Sequence, residues 1–305
     1  MIDKIQKGPD FIIIGAAKAG TTSLYTYLSQ HPAIFMPQNK EPSYFALIGK
    51  RIEDYYYPAK MTLIDSAVST AEEYSRLFAS ATTNQLCGEA STIYLSDPDA
   101  AKNISSQLPE AKLIVVLRNP IDRAYSHFIH HRSDNYEPEK EFLSACDAEP
   151  ERIANYWHPD FFYKRKGLYS EQVRKYQEQF PEDQIKIFLY EELKSSALVV
   201  QQIFEFLGVD PTVEVDTTAI YNLSGEFRFP WLYHLIRRST IIKPNFKQVV
   251  PTKQWNKVKK IWDSIMVIPP KKMSEKERSI LREYFRDDIM KLSSLINRDL
   301  SHWLA

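Results

Sequence analysis

The stretch Phe11-Ile12-Ile13-Ile14-Gly15-Ala16-Ala17-Lys18-Ala19-Gly20-Thr21-Thr22-Ser23-Leu24 limits the folds open to this chain more than any other. Its apolar start reads as a strand buried on both faces, its glycines bracket a tight turn, and Thr21 opens a helix. The first N–H groups of a helix lack intrahelical partners and sit at the positive end of its dipole, so this order of elements builds an anion site suited to a phosphate. Further along, the pattern predicts a strand near 85–88, a strand over 113–117 with a helix over 121–131, a helix over 169–180, a strand over 185–189 and a helix over 197–207. Strands alternating with helices specify an α/β fold: three layers, with a mostly parallel central sheet covered by helices on both faces.

The loop has the spacing of a P-loop with one departure. An ATPase or kinase loop ends in a Lys followed by Ser or Thr, which serve the outer phosphates and Mg²⁺. Here Lys18 lies inside the loop and Thr21 follows Gly20. A second phosphate motif stands at Leu113-Ile114-Val115-Val116-Leu117-Arg118-Asn119-Pro120, continuing to Ser126. Arg118 ends the predicted strand, at the edge where open parallel sheets bind ligands. The Arg118 fork and the Ser126 hydroxyl two turns along can converge on one phosphate.

Together these segments resemble the sulfotransferases that use 3′-phosphoadenosine 5′-phosphosulfate (PAPS). Lys18-Ala19-Gly20-Thr21-Thr22 resembles their 5′-phosphosulfate loop, and Arg118 with Ser126 their 3′-phosphate motif. Lys40-Glu41-Pro42-Ser43-Tyr44-Phe45 is similar to a stretch of the bacterial and carbohydrate (heparan-type) branch. The resemblance runs along nearly the whole chain and implies a P-loop-like sulfotransferase fold, PAPS as donor and 3′-phosphoadenosine 5′-phosphate (PAP) as product, without a metal. It implies donor contacts from Lys18, Ala19, Gly20, Thr21, Thr22, Ser23, Arg118 and Ser126, with Lys18 meeting charge on the departing phosphate and Glu41 as the general base. Tyr190 is the expected adenine-side aromatic, because Ser23 stands where cytosolic members carry a tryptophan. Arg228 resembles a late basic loop on the 3′-phosphate. Glu89 is a secondary candidate, to assist or bind acceptor or as a structural acid at a strand end, and Lys40 is another, to touch acceptor or donor or to be simply solvated. A saccharide or glycoconjugate acceptor follows from the branch. Two other readings are a P-loop nucleoside or sugar kinase and a nucleotide-binding scaffold without activity. The absent Lys-Ser/Thr pair argues against the first, and Lys18, Glu41, Arg118 and Ser126 together argue against the second.

With 305 residues, 44% of them hydrophobic, the chain can bury a full core, and no Gly/Ser linker divides it. The expected organisation is a single domain over 1–305, with a lid-like insertion over 132–166, a basic segment over 228–272 and a closing helix over 274–305. No eighteen-residue apolar run and no charged-then-apolar leader is present, which suggests a cytoplasmic, bacterial enzyme. Cys87 and Cys146 lack metal spacing and read as free thiols. The histidines are scattered, and neither a metal site nor a nucleic-acid partner is expected. Net charge is zero, yet 228–272 holds eleven Lys/Arg and one acid, Asp263. That segment reads as a solvated basic face, or as a surface for an anionic acceptor or membrane.

Overall fold

The computed structural model describes residues 4–58, 66–218, 226–227, 267–268 and 271–305. Five parallel strands form its centre: β1 (Phe11–Gly15), β2 (Ile34–Phe35), β3 (Leu86–Ala90), β4 (Lys112–Leu117) and β5 (Ile185–Leu189), in the order β2-β3-β1-β4-β5. Every pairing in this sheet is parallel. β1 and β4 are apolar and almost wholly buried, as strands covered on both faces must be. The chain passes from β1 to one side of the sheet and returns to the other side through β4. The strand order therefore reverses at β1, where a crevice opens at the carboxyl ends of the strands.

Helix starts and ends follow local chemistry. Asn119 caps the helix Pro120–Ser133 by accepting the Ile121 N–H at 3.0 Å, and Pro120 fills a first-turn position that needs no donor. Ser274 and Glu277 form a capping box at the head of helix Glu275–Leu295. Leu281, Phe285, Ile289 and Leu292 form its buried stripe. Ile280 is 47% exposed, because it lies about 100° around the helix from Leu281.

The 132–166 insertion is more ordered than its prolines imply. It contains helices Phe142–Asp147 and Glu149–Ala154 and a 3₁₀ turn over Pro159–Phe161. Pro150 and Pro159 occupy first-turn positions, where the ring restricts nothing the helix requires. This segment encloses a buried ion pair, with both Arg152 terminal nitrogens on the Glu137 carboxylate at 2.6 and 2.9 Å. The chain's end docks near the crevice: Trp303 is 1% exposed, its carbonyl accepts from Asn119 and its indole N–H donates to Glu191. Of the basic segment only 267–268 and 271–272 are described, and Val267–Ile268 pairs antiparallel with Glu226–Phe227.

Candidate functional site

A cavity of about 780 Å³ opens at the carboxyl ends of β1 and β4. Among the residues lining it are Lys18, Gly20, Thr21, Thr22, Ser23, Glu41, Arg118, Ser126 and Tyr190, drawn from segments up to about 170 residues apart. Ala19 does not line it: its side chain is fully buried and its N–H donates to the Ala16 carbonyl within the turn. Arg228 lies outside the described residues.

The β1 turn is held by its own backbone. Ala16 N–H donates to the Val116 carbonyl at 2.8 Å, tying the turn to β4. Lys18 and Gly20 have φ values of 66° and 88°. Glycine at position 20 removes both the left-handed strain and a collision, since a Cβ there would lie 2.5 Å from Leu193 Cδ1. The Arg118 guanidinium donates to the Lys18 carbonyl at 2.9 Å, and its carbon stands 4.6 Å from the centroid of the Tyr190 ring. Tyr169 Oη donates to the Arg118 carbonyl at 3.1 Å. Two cations thus share one crevice. Burial first, and the Arg118 charge second, push the Lys18 ammonium down to about 8, against the opposing pull of Asp160, Asp134 and Glu41.

Glu41 reaches the cavity from the loop before helix Tyr44–Leu47. One carboxylate oxygen accepts from Lys40 Nζ at 2.6 Å and the other from Thr92 Oγ1 at 3.0 Å. Lys40 is therefore engaged with Glu41 rather than simply solvated. Glu89, by contrast, is fully buried and lines no part of the cavity.

Facing these groups is a wall that sequence reasoning did not assemble. Asp160 sits 2.5 Å from Lys166 Nζ, 3.0 Å from His131 Nε2 and 3.5 Å from His127 Nε2. Burial alone would raise the Asp160 carboxyl, but Lys166 and the two imidazoles outweigh it and hold the group well below the usual carboxylate range. Burial likewise keeps His127 well below its ordinary value. Arg123, on the same helix, is fully buried and bonds His127 and the Tyr163 carbonyl. The only signal in the sequence was the four-residue spacing of His127 and His131 on one helix face. Asp160 came without a signal.

His127, His131 and Asp160 place one donor atom each within 4.8 Å of one another, the single metal-capable grouping among the described residues. Lys166 already supplies a cation to that carboxylate, so charge balance there requires no metal.

The sulfotransferase domain family matches residues 8–227, a span that contains the β1 turn, Glu41, Arg118, Ser126 and Tyr190. The chain belongs to the sulfotransferase family. A crystal structure of a sulfotransferase from Alicyclobacillus acidocaldarius is 30% identical to this sulfotransferase, with a TM-score of 0.75, covering 97% of this chain and 99% of that one. The bifunctional heparan sulfate N-deacetylase/N-sulfotransferase 3 of Mus musculus is 27% identical over 305 residues, covering 97% of this chain and 31% of that protein. The chain thus spans about a third of the length of that curated relative. A sulfotransferase domain from the curacin biosynthetic pathway shares the fold, at 16% identity and a TM-score of 0.50. The five-stranded parallel sheet with its helices is the α/β fold expected from the sequence. Among the described residues, no helix is long and apolar enough to cross a membrane.

Proposed function

We propose that this sulfotransferase moves the sulfuryl group of PAPS to a hydroxyl or amine of a saccharide and releases PAP. The observation that carries the reading is the convergence of Lys18, Arg118, Ser126 and Glu41 on one cavity. The cavity suits such a donor: two cationic side chains and a helix start face one space, and a side chain at Gly20 would crowd it. In the bound complex the donor supplies a sulfur–oxygen bond that breaks as the acceptor attacks.

Each residue then has a defined task. The backbone and hydroxyls of Gly20, Thr21, Thr22 and Ser23 hold the 5′ side, while Arg118 and Ser126 hold the 3′-phosphate. Charge builds on the departing phosphate in a loose, in-line transfer, and the Lys18 ammonium is the group that meets it. The transferred unit carries less charge than a γ-phosphate, so a lysine and a nest of N–H groups can do what Mg²⁺ does in kinases. Glu41 takes the proton that the acceptor loses, with Thr92 and Lys40 fixing its carboxylate. Tyr190 serves the adenine side, Arg228 the 3′-phosphate, and the 132–166 segment closes over the acceptor. A saccharide acceptor is supported by the similarity to a heparan sulfate N-deacetylase/N-sulfotransferase. A cytoplasmic location and peripheral contact of the basic segment with anionic membranes complete the reading.

Two measurements test it. PAP without metal should raise the melting temperature more than ATP with Mg²⁺. PAPS incubated with N-deacetylated heparan sulfate should give a product heavier by one sulfuryl group in mass spectrometry. Stabilisation by ATP with Mg²⁺, and none by PAP, would return the kinase reading.

A further inference from the structure

Glu89 lies in β3 opposite Ile12 of β1, with no exposed surface. Its Oε2 accepts from Tyr74 Oη at 2.7 Å and from Tyr94 Oη at 3.3 Å, and its Oε1 accepts from Ser91 Oγ. Two of these hydroxyls pass the interaction onward. Ser91 Oγ accepts the Ser43 N–H at 2.9 Å, and Tyr94 Oη accepts the Phe45 N–H at 3.4 Å. Ser43 and Phe45 flank the first residue of helix Tyr44–Leu47, where backbone donors have no intrahelical partner. Each hydroxyl has one proton, so a hydroxyl that gives it to Glu89 turns its lone pairs toward the amide. The carboxylate therefore sets the direction of both relays. Glu41 stands two residues before Ser43 and bonds Thr92, the neighbour of Ser91.

We propose that Glu89 is a positioning residue: through Ser91 and Tyr94 it fixes Ser43 and Phe45, and so holds the Glu41 carboxylate at the cavity wall. This rests on Glu41 being the proton acceptor. Burial pushes Glu89 up to about 7, against the pull of its three hydroxyl donors and with a further push from Glu41. A carboxyl group kept in such a place is costly unless its bonds are needed, because burying a carboxylate is offset only by the bonds it makes.

Ser91→Ala cuts one relay while leaving Glu89 with its two tyrosines, and Ser91→Thr restores the hydroxyl. Hydrogen exchange at the Ser43 to Phe45 amides should speed up about tenfold in Ser91→Ala and return toward the native rate in Ser91→Thr. Affinity for PAP should stay within about twofold, while single-turnover PAP formation from PAPS, with N-deacetylated heparan sulfate or water as acceptor, falls about tenfold. In a Glu41→Gln background, Ser91→Ala should cause no further loss, since it acts through the missing carboxylate. Unchanged amide exchange, or an equal loss of turnover in both backgrounds, overturns the proposal. Near-normal turnover by Glu41→Gln alone sinks the base assignment instead, and the exchange rates then decide whether Glu89 holds the loop.

Discussion

At the carboxyl ends of β1 and β4, the cavity is lined by short runs of consecutive residues tied by their own backbones, whereas a second wall is built on the single side chains His127, His131 and Asp160, joined by imidazole contacts and by the ion pair of Asp160 with Lys166. The first wall needs a glycine turn, a helix start and one arginine. The second needs an aspartate, 17% exposed, with three side-chain partners. A wall of the first kind, suited to an anion, tolerates wide change elsewhere, because backbone amides belong to every sequence. The second kind is specific to the side chains present.

This contrast can be broken most forcefully at Asp160. Asp160→Asn keeps the shape but leaves Lys166 buried without its counter-charge, and breaking such a pair costs about 3–5 kcal/mol. Melting temperature should fall by many degrees while PAP affinity per folded molecule at pH 7 changes less than about twofold. A large loss of PAP affinity would show that the two walls are not separable. Glu41→Gln comes next: a side chain of equal size that cannot take a proton should reduce turnover about a hundredfold, or about 2.7 kcal/mol, with little change in PAP binding. Melting temperature falling together with PAP affinity would instead make Glu41 a loop anchor. Arg118→Ala removes a charge-assisted fork and should weaken PAP by about 2 kcal/mol, or roughly thirtyfold, in a calorimetric titration. Unchanged affinity would displace the 3′-phosphate from this motif.

The same contrast explains what could be read from the sequence. Apolar runs bounded by glycine or proline announced β1 and β4, the run Ile185–Leu189 announced β5, and the two motifs proposed to bind phosphate came with β1 and β4 because consecutive residues must share one strand end. Short elements escaped: β2 is only two residues long, and helix Ala100–Gln107 carries a mixed surface. The helices of 142–154 were hidden behind Pro150, a residue that forbids a helix interior and permits a first turn. Glu41 was legible as a residue but not as a geometry, since Thr92 bonds it from 51 positions away. Asp160 was not legible at all. A lone carboxylate leaves no periodicity in the chain, and its partners are set by packing that only the folded structure supplies.

The smallest expected effect concerns protons at the β1 turn. Burial and Arg118 bring free Lys18 down to about 8, from 10.5 when unperturbed, so the native state releases this proton before the unfolded chain does. The sign follows directly: between about pH 8 and 10.5 the unfolded state binds more protons, and the Lys18 contribution to stability rises with pH across that window. Anion binding must run the other way. A phosphate beside Lys18 favours the ammonium, so PAP should bind best below pH 8 and lose affinity as pH rises through that value. The second ionisation of a phosphate monoester lies near pH 6, so from about pH 7.5 upward the ligand's own charge is constant. Over about pH 7 to 9 the protonated fraction of a group titrating at 8 falls roughly tenfold, which bounds the loss at about 1.4 kcal/mol. Calorimetry in buffers of different ionisation enthalpy should detect proton uptake on PAP binding near pH 8, and Lys18→Met should abolish both the uptake and the pH slope. Retention of the slope in that variant would move the titrating group off the backbone-built wall and onto the other side of the cavity.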